Sequence, residues 1–202
     1  MNKDIFKLPN ILSLLRIVFS VALYLLFMQH YRGNMDISPL LIFILFIFVA
    51  ATDLIDGMIA RRRDMVTDLG KELDPMADKV LVFLMLFAFY RIQILPLWVI
   101  LPVFLRDIFV HFLRRRTRFL GLYFKTSDLA KAKTAVQMIF IGFVLAVPVI
   151  LSLQIPGSVY DFFADYMSGN GIVITMFVIM LFTVYTGIDY YIKYRRFLNG
   201  KQ

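Results

Sequence analysis

Long apolar runs separated by short polar segments dominate this chain. Crossing a bilayer as a helix takes about 17 to 25 residues, and six runs approach or reach that length, at residues 11–28, 38–60, 76–90, 95–112, 134–153 and 171–192. The third run is short and could extend toward its N-terminus. Because backbone groups in lipid must be satisfied within their own segment, each run is predicted to be helical. The pattern predicts an all-α, polytopic membrane protein with six transmembrane helices.

Composition supports this prediction and excludes several classes of site. Of 202 residues, 60% are hydrophobic, and the mean hydropathy is +0.77. The chain has no Cys and two His, which excludes disulfides, cysteine nucleophiles and the usual four-ligand zinc sites. Any metal site must therefore use oxygen ligands. The length suits one domain over residues 1–202, and no A-x-A-type cleavage site follows the first run, so we expect that run to be a retained helix.

The basic residues give the expected orientation. When six spans are laid end to end, eighteen of the 22 Lys and Arg fall on one side, Arg16 and Arg106 lie within spans, and only Arg32 and Arg91 fall on the other side. Connections rich in Lys and Arg stay in the cytoplasm. We therefore expect an integral protein of the cytoplasmic (inner) membrane with both termini and the active site facing the cytoplasm.

A basic segment at residues 114–118 and a pI of about 9.8 also raise the possibility of nucleic-acid binding. Topology and attraction to anionic lipids explain such clusters without a base-reading element, and no nucleic-acid-binding motif is present. We expect membrane lipids as partners and no nucleic acid.

Four carboxylates form the strongest candidate for chemistry. Asp53 and Asp56 are three residues apart and Asp74 and Asp78 four apart, so each pair shares one face of a helix. If the chain turns back between them, the pairs converge near the cytoplasmic edge of the bundle. Acidic residues within spans are costly and usually functional. The alternative is a structural ion-pair cluster with neighbouring Arg and Lys.

Converging carboxylates repel each other unless cations neutralise them. Hard oxygen ligands select Mg²⁺, Mn²⁺ or Ca²⁺, and Mg²⁺ is often completed by substrate phosphates. Gly57 and Gly70 either permit close approach of a ligand or serve as packing and turn residues. Arg61 suits a phosphate or the membrane interface. Together these residues indicate a metal-bridged diphosphate.

The segment Asp53-x2-Asp56-Gly57-x2-Ala60-Arg61-x8-Gly70-x3-Asp74-x3-Asp78 resembles, at every position, the motif of the CDP-alcohol phosphotransferase family. The resemblance implies a helical membrane fold and transfer of a phosphatidyl or similar group from a CDP-linked donor to an alcohol, with release of CMP. It also implies a homodimer.

The resemblance further implies roles for individual residues. Two ions, Mg²⁺ or Mn²⁺, would be held in each active site by the four acids, and Asp78 would also be the catalytic base that takes the proton of the acceptor hydroxyl. The CDP donor would be surrounded by Asp53, Gly57, Arg61, Gly70 and Asp74.

A second polar region is a candidate for binding the acceptor. Arg106, Arg114, Lys131 and Lys133 would suit an anionic acceptor, because Arg and Lys both bind phosphate. Arg106 and Arg114 are about two helical turns apart and project to similar faces. The alternative is that all four contact lipid headgroups.

The patterns Pro9-Asn10-x2-Ser13-x2-Arg16, Leu105-Arg106-Asp107-x6-Arg114 and Lys131-Ala132-Lys133-Thr134 with Gln137 resemble the phosphatidylglycerophosphate synthase branch of the family. This implies CDP-diacylglycerol as donor and sn-glycerol 3-phosphate as acceptor. Asp107 stands where that branch usually has Glu, and Ala130 where it usually has Gly. Inositol phosphate or phosphatidylglycerol therefore remain alternative acceptors, and an ion or proton-coupled transporter is the alternative from another class.

Overall fold

The described part of the chain, residues 8–62, 70–119, 128–153 and 157–199 of a computed structural model, forms seven helices and no strand. The helices are α1 (Leu8–Tyr31), α2 (Pro39–Arg62), α3 (Gly70–Arg91), α4 (Leu97–Phe119), α5 (Asp128–Ser152), α6 (Ser158–Ser168) and α7 (Gly171–Asn199). Side chains are described for residues 13–52, 79–117, 129, 132–153 and 157–196. The prediction of an all-α fold is confirmed.

The six predicted runs fall on α1 to α5 and on α7. Among the described residues, three helices are long and apolar enough to cross a membrane, over Ser13–Tyr31, Ala132–Ser152 and Gly171–Arg196. Pro39–Thr52 of α2 is a shorter apolar stretch. The protein is therefore a membrane protein, while the number of six spans remains a prediction. The helix that contains the third run, α3, begins earlier than the run, at Gly70.

The connection predicted at residues 154–170 contains the additional helix α6. Its 11 residues extend about 16 Å, too short for a hydrocarbon core of about 30 Å. None of its residues is buried, yet its aromatic side chains are packed, because Phe163 and Tyr166 contact Phe143 of α5. The Tyr166 hydroxyl also donates a hydrogen bond to Thr175 Oγ1 of α7 at 2.8 Å. These contacts hold α6 against the side of the bundle.

The core lies where six helices meet. α1 packs on α2 and α3, α5 on α2, α3 and α7, and α4 on α3 and α7. Phe46, Phe89 and Ile141 are among the fully buried side chains. Large apolar side chains also point outward, including Phe112 and Ile139, which are 62% and 71% exposed. An apolar outer surface of this kind suits contact with lipid.

Side-chain contacts give the relative directions of the helices around α4. Lys79 meets Asp107 and Phe83 meets Phe104, so α3 and α4 are antiparallel. Trp98 meets Phe177, Arg106 meets Thr186 and Arg114 meets Tyr190, so α4 and α7 are parallel. This parallel pair brings polar residues of α7 beside the basic residues of α4.

Candidate functional site

The residues of the carboxylate motif lie on two helices. Asp53, Asp56, Gly57 and Arg61 belong to α2, while α3 begins at Gly70 and includes Asp74 and Asp78. The predicted helical spacing of both pairs is therefore present in the backbone. The side chains of all these residues lie outside the described residues, so their convergence remains a prediction.

The arrangement of α2 and α3 is compatible with a shared site. Both helices pack against α1 and against α5. Arg62 and Gly70 are eight peptide steps apart, a reach of at most about 29 Å, whereas the 24 residues of α2 extend about 36 Å. The C-terminal end of α2 and the N-terminal end of α3, which carry the four acids, therefore belong to the same end of the bundle.

The chemistry of this donor set fits a hard divalent cation. Four carboxylates offer up to eight oxygen atoms, the ligand type that Mg²⁺ and Mn²⁺ prefer. Among the described side chains there is no cluster of three His, Asp or Glu that could hold a metal ion, and the four motif acids lie outside that set. By the chemistry of their carboxylates they remain candidates for metal binding.

Asp107 of α4 is the centre of a second polar cluster. Lys133 Nζ of α5 donates to both carboxylate oxygens of Asp107, at 2.6 and 2.7 Å. Arg106 Nη1 donates to Asp107 Oδ1 at 2.9 Å, and Arg106 Nη2 donates to Thr186 Oγ1 of α7 at 2.8 Å. The cluster joins three helices and unites two of the predicted acceptor residues, Arg106 and Lys133.

The cluster carries surplus positive charge in a largely buried place. The side chains of Arg106, Asp107 and Lys133 are 9%, 13% and 5% exposed. Two cations share one carboxylate, and a buried charge that is not compensated is costly. Arg106 Nε is also buried and has no hydrogen-bond acceptor among the described residues. The cluster is therefore suited to receive an additional anion.

Lys79 connects this cluster to the carboxylate motif. Its Nζ atom donates to the backbone carbonyl oxygen of Asp107 at 3.4 Å. Lys79 directly follows Asp78 along α3, so the backbone of the last motif acid lies one residue from a side chain that contacts the cluster. A ligand anion bound beside Arg106 and Lys133 would thus be close to the end of the motif.

Of the two remaining predicted acceptor residues, the structure describes the side chain of Arg114 but not that of Lys131. The Arg114 guanidinium lies over the ring of Tyr190 on α7, 5.5 Å from its centroid. Arg106 and Arg114 therefore both reach α7, in agreement with their predicted common face. Lys131 belongs to α5, but its side chain lies outside the described residues.

Several polar residues beside the cluster were not among the predicted site residues. In the sequence Asp107 stands out only as a departure from the pattern of the branch, and Thr186 and Gly187 of α7 belong to no motif. A Gly and a Thr inside an apolar helix give a weak signal by themselves, since both occur often at helix contacts in membranes. On α1, away from these contacts, Arg16 is 2% exposed, and a buried Arg within an apolar run is a stronger signal of a functional position than a Gly or a Thr.

A cavity of about 280 Å³ lies between α3 and α4, next to the cluster. Its walls are mainly apolar and include Phe83, Leu86, Val103 and Phe104, while Lys79, Asp107 and His111 provide its polar atoms. Apolar walls of this kind accommodate hydrocarbon chains and do not recognise phosphate. The polar cluster beside the cavity, and not the cavity itself, has the chemistry of an anion site.

Comparison with known proteins agrees with the motif. Residues 6–160 match the family model described as CDP-alcohol phosphatidyltransferase. The chain belongs to the CDP-alcohol phosphatidyltransferase family. The match contains both helices of the carboxylate motif and the Asp107 cluster apart from its α7 residues. This membership makes the protein a CDP-alcohol phosphatidyltransferase enzyme and confirms the resemblance found in the sequence.

Several curated relatives within the family cover most of the chain. The CDP-diacylglycerol–glycerol-3-phosphate 3-phosphatidyltransferase of Bacillus subtilis (strain 168) is 30% identical over 93% of this chain and 95% of its own length. A protein of the same name from Rickettsia typhi is 32% identical over 92% and 95%. The probable phosphatidylglycerophosphate synthase of Mycobacterium tuberculosis is 32% identical over 96% and 84%. The predicted similarity to this branch is thereby confirmed.

Proposed function

We propose that this chain transfers the phosphatidyl group from CDP-diacylglycerol to sn-glycerol 3-phosphate, giving phosphatidylglycerophosphate and CMP. The observation that carries this acceptor is the Asp107 cluster, in which Arg106 and Lys133 share a single carboxylate. Glycerol 3-phosphate supplies the missing negative charge through its phosphate and the nucleophile through its hydroxyl. The relatives named for the same reaction support the proposal.

The donor is assigned to the α2 and α3 motif. Asp53, Asp56, Asp74 and Asp78 would hold two divalent cations, Mg²⁺ or Mn²⁺, which would offset charge on the diphosphate and on departing CMP. The cytidine and its phosphates would be bound by Asp53, Gly57, Arg61, Gly70 and Asp74. The support for this assignment is the match of the motif and the placement of its residues at one end of the bundle.

The acceptor is assigned to Arg106, Arg114, Lys131 and Lys133, which would bind its phosphate. Asp78 would be the general base, and its chain neighbour Lys79 contacts the cluster at Asp107. The acceptor hydroxyl oxygen attacks the β-phosphorus and forms the new P–O bond, while its proton passes to Asp78. The bond from the β-phosphorus to the oxygen of CMP breaks, and CMP leaves with that electron pair.

The setting of this reaction is part of the same proposal. One domain over residues 1–202 would cross the inner membrane six times, and α6 would not be one of the membrane-spanning helices. The ends of α2, α4 and α7 and the starts of α3 and α5 would face the cytoplasm, where most Lys and Arg lie. A homodimer is proposed from the family resemblance.

The test is release of CMP by purified protein in detergent. CDP-diacylglycerol and Mg²⁺ or Mn²⁺ are supplied with glycerol 3-phosphate, inositol phosphate, phosphatidylglycerol, serine or no acceptor. We expect release that depends on glycerol 3-phosphate. Release with a different acceptor would refute the acceptor assignment, and no release with any acceptor would favour the transporter class.

A matched pair of variants tests the assigned base. Asp78→Asn is expected to abolish turnover while binding of CDP-diacylglycerol remains measurable, because general base catalysis contributes roughly 10²- to 10⁴-fold and a metal ligand is altered as well. Asp161→Asn, the same change on exposed α6, is expected to keep normal turnover. Near-normal turnover of Asp78→Asn would refute the role of Asp78.

A further inference from the structure

The Arg106 side chain lies against α7 at the adjacent residues Thr186 and Gly187. Its Nη2 atom donates to Thr186 Oγ1 at 2.8 Å. A methyl group in place of the Gly187 hydrogen would lie 2.8 Å from Arg106 Cγ and 3.2 Å from Arg106 Nε. The first distance is far below ordinary carbon–carbon contact of about 3.5 to 4.0 Å. Only glycine at position 187 therefore allows Arg106 to lie where it does.

Arg106 has no easy way to move aside from a larger residue. The atom closest to position 187 is Cγ, near the backbone end of the side chain, so relief needs a different χ1 rotamer or a shift of α4 and α7 relative to each other. The far end of the side chain is held by Asp107 through Nη1 and by Thr186 through Nη2. A change of χ1 at Arg106 would therefore break at least one of these two hydrogen bonds.

The hydroxyl of Thr186 has a fixed polarity that suits a guanidinium. Its single hydrogen is donated to the Thr183 carbonyl oxygen at 2.7 Å, so its oxygen can only accept from Arg106. Thr183 Oγ1 in turn accepts from Gln137 Nε2 of α5 at 3.2 Å. The first of these bonds fixes the hydroxyl that accepts from Arg106, and the second links the same turn of α7 to α5.

We propose that Thr186 and Gly187 are positioning residues for acceptor recognition, holding the Arg106 guanidinium in the orientation that binds the phosphate of the acceptor. The inference rests on the proposed function, because Arg106 is assigned there to the acceptor. It adds that α7, which carries none of the motif residues, sets the affinity for the phosphorylated acceptor. Thr186 and Gly187 act through Arg106 and do not touch the substrate.

Steady-state kinetics of Gly187→Ala provide the first test. The KM for glycerol 3-phosphate is expected to rise about 10-fold or more, as for loss of one charge-assisted hydrogen bond. The kcat at saturating acceptor and the KM for CDP-diacylglycerol are expected to stay within about 3-fold, since neither depends on that bond. Alanine favours a helix more than glycine does, so a rise cannot come from helix propensity.

Gly142→Ala of α5 is the matched control, because a methyl group there meets Phe46 at 3.2 Å, away from the cluster. We expect it to leave the KM for glycerol 3-phosphate unchanged. An equal rise of that KM in Gly142→Ala and Gly187→Ala would mean a general packing effect and would overturn the inference.

Thr186 provides a second test that does not depend on packing at Gly187. Thr186→Val removes the accepting oxygen at nearly constant volume and is expected to raise the same KM, while Thr186→Ser keeps the hydroxyl and is expected to restore it. A Thr186→Val variant with the wild-type KM would overturn the role of Thr186.

Combination with Arg106→Ala separates failure of this inference from failure of the proposed function. If Gly187 acts through Arg106, Gly187→Ala adds no further rise of the KM in the Arg106→Ala background. A rise in Arg106→Ala alone, without one in Gly187→Ala, overturns only the positioning role. A wild-type KM in Arg106→Ala overturns the assigned acceptor site and this inference with it.

Discussion

Replacing Asp107 with Asn is predicted to destabilise the protein more than any other single charge neutralisation among the described acids. Asn keeps the size of the side chain but leaves Arg106 and Lys133 without their shared counter-charge. Removing one partner of a buried ion pair costs about 3 to 5 kcal/mol. Since Asp107 is 13% exposed, some water reaches it, and we expect a loss of about 3 kcal/mol in the free energy of unfolding.

Equilibrium unfolding in mixed detergent and SDS micelles measures this loss. Asp189→Asn is the matched control, because Asp189 forms an ion pair of similar length, 2.7 Å, with Lys193, whose side chain is 54% exposed. Exposed pairs contribute about 0 to 1 kcal/mol. If Asp107→Asn and Asp189→Asn lose the same amount, the reasoning that charge at Asp107 holds three helices together is wrong.

Added phosphate should partly replace the missing carboxylate. A ligand at 100 times its dissociation constant stabilises the folded state by about 2.7 kcal/mol. The Asp107→Asn variant has one more uncompensated positive charge at the cluster than the wild type. Glycerol 3-phosphate is therefore expected to stabilise Asp107→Asn more than the wild type, whereas glycerol stabilises neither. Equal stabilisation of both proteins by glycerol 3-phosphate would contradict the proposed binding of phosphate at this cluster.

Three further outcomes are expected. In Arg106→Lys a single ammonium group cannot contact Asp107 and Thr186 together, so the KM for glycerol 3-phosphate should rise about 10-fold in the CMP assay. An unchanged KM would show that simultaneous contact with both residues is unimportant. Chelation with EDTA should stop CMP release and excess Mg²⁺ or Mn²⁺ should restore it; full activity after chelation would contradict metal dependence. Gly171→Ala should lower the free energy of unfolding by about 1 kcal/mol, as for a lost hydrogen bond. A methyl group at position 171 would displace the Tyr166 ring and break the hydrogen bond from its hydroxyl to Thr175. A loss equal to that of Tyr166→Phe would support this explanation, and wild-type stability would contradict it.

The helices of the fold follow from the sequence to a large extent. Runs of apolar residues long enough to cross a membrane leave the backbone no other way to satisfy its hydrogen bonds. The helix ends are harder to predict, because the charged residues at 114–118 and 131–133 lie outside the predicted apolar runs. They belong to α4 and α5, since Arg and Lys are good helix formers when they can extend into polar surroundings.

The helix α6 and the α7 side of the site could not be predicted from local pattern. α6 has 11 residues, and its segment lies between two of the predicted apolar runs, so it is not long or apolar enough to be predicted as a span. The spacing of the motif acids repeats within a helix and is visible in the sequence. The contact between Arg106 and Thr186 joins residues 80 positions apart, so it depends on how whole helices pack and leaves no periodic signal.

The shortness of α6 has a consequence for the site on the far part of α7. Because α6 turns the chain along the side of the bundle without carrying it back through, α7 runs parallel to α4 and brings Thr186 level with Arg106. An extension of α6 that crossed the bundle would reverse α7 and move Thr186 and Gly187 away from the basic residues of α4. The Arg106 guanidinium therefore has a partner on α7 because α6, with 11 residues, does not carry the chain back across the bundle.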